Sequence, residues 1–168
     1  MARAMDQTVV RSMAKWPNVP DVYGWLSLDR RGNWLLRSAS ATPSFERIGN
    51  QALRDFICRN YAADSRGRWY FQNGPQRVFV ELAYTPLVLH LEGEALLDHC
   101  GTPFQPAQAY LDEEGSVLIC GNSGIGLLDD RDLPAYADRA AGLPGIDSGA
   151  VPGRFAFVPH PAPGSGPF

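Results

Sequence analysis

Between Gln76 and Leu82 the chain alternates: Val78, Val80 and Leu82 fall on one side, Arg77, Phe79 and Glu81 on the other. A period of two is the signature of a strand with two unlike faces. The same patterning, bounded by turn residues, predicts strands over residues 23–28, 33–37, 68–72, 87–91, 108–111, 116–120 and 154–158. Trp16-Pro-Asn-Val-Pro20 is extended, because each proline restricts the residue before it. After Asn50 the period changes, and Leu53, Phe56 and Ile57 share one face of a helix over 51–60 that Asn50 can cap. Asp132 and Pro134 open a second helix, over 133–140, carrying Leu133, Tyr136 and Ala140, while residues 1–15 form a short helix or an arm.

Three turns punctuate these runs. Asp29-Arg-Arg-Gly32, Asp64-Ser-Arg-Gly67 and Asp112-Glu-Glu-Gly115 are each followed two residues later by a large apolar side chain. An Asp at the first place of a turn accepts hydrogen bonds from the backbone beyond it, and a Gly at the fourth takes the left-handed conformation that returns the chain. The prediction is an α+β fold: an antiparallel, hairpin-rich sheet or sheets with two or three packed helices. Leu28, Asp29, Gly32, Leu35 and Leu36 overlay on Leu111, Asp112, Gly115, Leu118 and Ile119, suggesting pseudo-repeats over 22–84 and 85–142 within one domain, 1–158. Residues 159–168, mostly Pro and Gly, are expected to be a disordered tail.

Charge divides the chain. Residues 1–84 carry 12 Lys and Arg against 7 Asp and Glu, and residues 85–168 carry 3 against 11, so the halves are +5 and −8. Such polarity serves an anionic partner of the front half, or lets the halves attract one another within the fold or between copies as a homo-oligomer. Three cysteines at unrelated spacings argue against a disulfide framework and for a reducing cytoplasm. No stretch approaches the roughly 20 apolar residues of a membrane span, and residues 1–16 lack the apolar core of an export signal, so no membrane partner is expected.

The run from Trp16 through Asp21-Val-Tyr-Gly-Trp-Leu-Ser-Leu-Asp-Arg-Arg-Gly-Asn-Trp34, with Asn50–Tyr61 and Gly67-Arg-Trp-Tyr-Phe-Gln-Asn-Gly-Pro-Gln-Arg-Val78, resembles a proteobacterial family of small proteins defined as a domain of unknown function, over most of residues 16–140. The order of hairpin, helix, Gly-aromatic strand and Thr85-Pro-Leu-Val88 strand is similar to a second uncharacterised bacterial family. That likeness implies an α+β fold with a repeated motif and a role in signalling or regulation. Neither family supplies catalytic residues.

Candidate chemistry is sparse. Gly121, Gly124 and Gly126 lie where a glycine loop could cradle phosphate, but without the spacing or lysine of a nucleotide loop. Asp98-His99-Cys100 pairs a base with a thiol, yet strand neighbours point apart. His90, His99, Cys100 and Cys120 lack zinc spacing, and Asp129 to Asp132 lacks that of a calcium loop and suits a helix start better. Arg30, Arg31, Arg66, Arg68 and Arg77 mingle with Trp34, Trp69, Tyr70 and Phe79 as on single-stranded nucleic-acid surfaces, a second reading that competes with aromatics in the core. The expected function is a non-enzymatic binding or regulatory module for a protein or small anionic ligand. Its site is expected between the halves, with Arg31, Trp34, Arg37 and Arg77 as contacts and with no catalytic residue, metal or cofactor. An enzyme using Cys and His is the third reading.

Overall fold

The alternating runs build two sheets, each joined from two three-stranded meanders. In the computed structural model, which describes residues 5–38, 40–42 and 44–164, the first sheet contains β1 (Val22–Leu28), β2 (Trp34–Arg37), β3 (Phe45–Arg47), β4 (Tyr61–Ala63), β5 (Trp69–Asn73) and β6 (Gln76–Leu82). The second contains β7 (Leu87–Glu92), β8 (Ala95–Asp98), β9 (Pro103–Phe104), β10 (Pro106–Asp112), β11 (Val117–Gly121), β12 (Gly124–Leu128) and β13 (Gly145–Ile146). Four α-helices are found among the described residues: α1 (Gln7–Lys15), α2 (Gln51–Arg59), α3 (Leu133–Ala140) and α4 (Val151–Arg154).

The strand orders are β3-β2-β1-β6-β5-β4 and β13-β10-β11-β12-β7-β8-β9. Apart from β13, the second order is the first repeated with six added to each label and read backwards. The sheets are mixed, because β1 runs parallel to β6, β7 to β12 and β10 to β13. This topology pairs β4–β5 with β10–β11, so the corners at Asp64 and Asp112 are the equivalent ones. The corner at Asp29 instead matches the Glu92-Gly93-Glu94 turn, unlike the overlay drawn from sequence.

The predicted turns form as expected, and a fourth, Asp98-His-Cys-Gly101, joins them. In each, the Gly N–H donates to the carbonyl of the Asp three residues back, and the Gly φ is between 77° and 86°. In each, the Asp Oδ1 accepts the N–H groups two and four residues on: Arg31 and Asn33, Arg66 and Arg68, Cys100 and Thr102, Glu114 and Ser116. One aspartate thereby satisfies two backbone donors of a corner that no strand partner can reach.

Both predicted helices appear, the first with its expected cap and the second with Asp132 at its start making no capping hydrogen bond. The Asn50 side chain accepts from the Leu53 N–H at 3.0 Å, Ile57 is buried and Phe56 stands edge-on to Phe71. Leu53, predicted to share the buried face, is exposed. Helix α1 docks through buried Val9, the Asp6 N–H on Asn60 Oδ1, and an ion pair between Asp6 and Arg59. One buried apolar cluster runs through both sheets, from Leu26, Leu28 and Val80 in the first to Leu87, Leu89 and Leu118 in the second.

Three expectations are corrected. Gly121 to Gly126 is not a loop connecting a strand to a helix but the turn and strand of the β11–β12 hairpin. Its Gly126 has no side chain because a Cβ there would lie 2.6 Å from Leu89 Cγ in the core. Residues 154–158 are not a strand: α4 ends at Arg154, and Val158 makes a single bridge to Arg68. Of the expected tail, residues 165–168 lie outside the described residues. Before them the chain returns to the first sheet, where the Val158 N–H donates to Gly67, Pro159 accepts from the Leu82 N–H at 2.8 Å, and Pro161 is buried.

Overfilling a close-packed core typically costs about 1–3 kcal/mol. Gly126→Ala is expected to lower the urea midpoint by a corresponding amount at unchanged m, because Leu89 is fully buried and cannot swing aside.

Candidate ligand cleft between two hairpin corners

The Asp29 corner of the first sheet and the Asp112 corner of the second face each other across a cleft of about 650 Å³. Arg30 and Arg31 project from one side and Glu114 and Ser116 from the other, while Leu127, Leu128 and Leu133 supply apolar lining. The apolar run of β12 ends at Asp129, whose side chain accepts the Arg131 N–H at 2.9 Å and turns the chain into α3. That turn brings Asp130 to the edge of the cleft.

The two arginines are held differently. Arg31 Nε and Nη2 donate to the two carboxylate oxygens of Asp130 at 2.8 and 2.9 Å. This fork, with the charge of Arg31, takes the Asp130 carboxyl from an ordinary 3.8 to about 2 and raises the Arg31 guanidinium in turn. Arg30 is held loosely. Its Nη2 donates to Ser116 Oγ at 3.1 Å, its guanidinium lies 4.9 Å from the Tyr84 ring centre, and Glu114 is 4.0 Å away. Nearly half of its side chain is exposed.

Tyr84 is aligned by the Asp112 corner, to whose Oδ2 its hydroxyl donates at 2.8 Å. Burial first, and then this carboxylate, push the phenol well above its usual range and keep it protonated. Arg30 and Glu114 also border a smaller cavity of about 270 Å³, which reaches Ser148 and His160.

The Asp29 corner seats against the second sheet at Gly32, where a Cβ would lie 2.6 Å from His99 Cβ and 3.3 Å from His90 Nε2. His90 in turn places Nδ1 3.2 Å from Asp129 and 3.8 Å from Asp132. These three side chains are the potential metal-ligating group found among the described residues. Their carboxylates are already engaged: the Arg131 guanidinium grips both oxygens of buried Asp129, and Asp132 accepts the Leu91 N–H. The arrangement works as a charged brace for the corner.

Of the four contacts expected from sequence, Arg31 lines the cleft. Trp34 is buried, edge-on to Tyr61 and His99. Arg37 lies 5.8 Å over the ring of exposed Trp25, and Arg77 lies 4.4 Å over Tyr70, both away from the residues of the cleft. Sequence reading missed Arg30, Glu114 and Tyr84 as a group. The opposite charge of the first and third tips was the available signal for the first two.

The structure also revises the reading of the cysteines. Cys58 and Cys100 form a disulfide with their Cα atoms 5.4 Å apart, and Cys120 stays outside it. Their 42-residue separation concealed the pairing, and with it goes the argument from cysteine spacing for a reducing compartment. His99 has no neighbouring thiol to activate, because the sulfur of Cys100 is bonded to Cys58. Instead, its Nδ1 accepts the Val88 N–H. The aromatics proposed for base stacking are largely covered: Trp34, Tyr70 and Phe79 are buried, Arg68 lies over Phe79 and pairs with Asp64. No helix among the described residues is long and apolar enough to cross a membrane.

Fold and cleft together define a two-sheet α+β protein with a mixed-charge groove between hairpin corners. The chain belongs to the family described as "Protein of unknown function (DUF2946)", whose model, DUF2944, matches residues 5–162. No curated protein matches. Among solved structures, the chain is similar to a DUF1285 family protein from Silicibacter pomeroyi DSS-3, at 16% identity and a TM-score of 0.47 over 82% of this chain and 78% of that one. It is also similar to a DUF1285 family protein from Shewanella baltica OS155, at 13% identity and a TM-score of 0.46 over 67% and 90%.

Because the Asp130 carboxyl is depressed in the folded protein, its contribution is present above the ordinary value of 3.8 and disappears as pH falls through about 2. The Tm difference between wild type and Asp130→Asn is therefore expected to be constant from pH 5 to 8 and to shrink as the pH falls from about 4 through about 2. Calorimetric scans across that range check it, and a difference undiminished at about pH 2 contradicts the assignment.

Proposed function

We propose that the protein is a non-enzymatic binding module whose cleft takes a small ligand with one anionic group on an apolar body. The observation that carries this reading is Arg30. Its neighbour Arg31 is neutralised by a two-pronged carboxylate, whereas Arg30 makes one hydroxyl contact and stands 4.0 Å from Glu114. A carboxylate or phosphate entering the cleft can replace that distant partner with a direct fork. Leu127, Leu128 and Leu133 supply the apolar contact. The protonated hydroxyl of Tyr84 is taken by Asp112, so Tyr84 contributes its ring, which backs Arg30. A regulatory role fits a module that closes on a ligand between two halves.

A protein partner is the second reading, and one surface favours it. Arg37 pairs in register with Phe45 and lies over Trp25, so two aromatics, each 44% exposed, flank a cation on the outer face of the first sheet.

The test is a thermal-shift series with benzoate, hexanoate and inorganic phosphate. A ligand at about 100 times its Kd stabilises the folded state by about 2.7 kcal/mol, a Tm rise of several degrees. The apolar carboxylates are expected to stabilise the wild type, Arg30→Ala to abolish the shift, and Arg37→Ala to retain it. No shift with any of them, or one that survives Arg30→Ala, rejects the cleft as the site.

A further inference from the structure

On the other side of the Asp29 corner lies a separate cavity of about 300 Å³ that reaches the disulfide. Both half-buried sulfur-bearing residues line it, together with Trp34, Gln51, Arg54 and His99. We propose that Cys58–Cys100 is an exchangeable cross-link between α2 and the β8–β9 corner of the second sheet, opened and closed by a small thiol that carries a carboxylate and enters through this cavity.

The surroundings of the two sulfurs differ, and the difference gives the exchange a direction. Trp34 Nε1–H donates to Cys58 Sγ at 3.4 Å. A donor aimed at that sulfur stabilises negative charge developing there, which makes Cys58 the better leaving group and Cys100 the sulfur attacked. Arg54 precedes Cys58 by one helical turn and lines the same cavity, leaning on Gln51. Its Nε is buried without a hydrogen-bond partner. Asp55 also borders the cavity, but its carboxylate accepts Gln51 Nε2 at 2.7 Å. The guanidinium is thus placed to receive the carboxylate of an incoming thiol.

The chemistry balances with the thiol as reductant. Its thiolate attacks Cys100 Sγ, a new S–S bond forms, and the electron pair of the old bond leaves on Cys58 Sγ. A second thiolate attacks the thiol-derived sulfur of the mixed disulfide and releases Cys100. Two small thiols become one small disulfide, and their two protons end on Cys58 and Cys100. The reverse sequence closes the link. Reclosure is favoured because Asp98 keeps hold of the Cys100 and Thr102 N–H groups at 2.9 and 3.0 Å, fixing the corner that carries Cys100 opposite α2.

The full chain, oxidised, is treated without denaturant with reduced glutathione or with uncharged 2-mercaptoethanol, and the thiols are alkylated and counted by mass spectrometry. One reactive cysteine, Cys120, is expected before treatment and three after it. Removing the steering charge with Arg54→Gln is expected to slow glutathione by about tenfold and 2-mercaptoethanol by less than about twofold. In the wild-type chain treated with reduced glutathione and acid-quenched before reduction is complete, peptide mapping is expected to find the mixed disulfide on Cys100 rather than on Cys58. The second thiol serves as an internal control for any loss of stability. The proposal is overturned if three thiols react at the outset, if the link opens only in denaturant, if Arg54→Gln affects both thiols equally, or if the mixed disulfide is found on Cys58.

Discussion

An aspartate that folds its carboxylate back onto the backbone two and four residues ahead recurs at four corners of this protein, and the geometry of both sheets depends on it. Hairpin corners leave N–H groups that no strand can satisfy. Here each such pair is met by one charged acceptor, an interaction of about 1.5–3 kcal/mol per hydrogen bond when a charged group takes part. The glycine at the fourth position lets the chain return. The Asp98 and Asp112 side chains are themselves buried, so they anchor corners whose tips reach the surface.

Two sheets with the same meander order must still be joined, and several devices share that task. The apolar cluster is continuous through both. The corner at Asp29 rests on the second sheet because Gly32 offers no side chain to hold it away from His90 and His99. The segment from Phe157 to Pro161 crosses back to β6, and the disulfide links α2 to the corner between β8 and β9. Where the two exposed corners meet, their polar tips cannot interpenetrate as core side chains do, and the gap between them is the cleft. The groove is thus a consequence of joining two hairpin layers through their tips.

Electrostatics then distinguishes neighbouring residues of the same kind. Arg30 and Arg31 are adjacent at the tip of the turn, but they reach different partners. Arg31 is spent on Asp130 and keeps the halves in register. Arg30 is braced by a ring and a hydroxyl, with its carboxylate at arm's length. A structural ion pair and a loosely held guanidinium arise from one dipeptide.

The sequence by itself determined the local pieces of this protein. Alternation marked β6 end to end, Asn50 and the spacing of Phe56 and Ile57 marked α2, and Asp-x-x-Gly marked three corners, because each depends on contacts within a few residues. The same reading placed opposite charges at the first and third tips and a site between the halves. Short strands such as β3, β4 and β9 were not legible, since two or three residues carry no period. Nor were the parallel pairings, the Cys58–Cys100 link or the role of Trp34 as a core residue. These joined positions tens of residues apart, and only the tertiary structure decided them: which surfaces become buried together is set by packing the whole chain, and no local pattern records it.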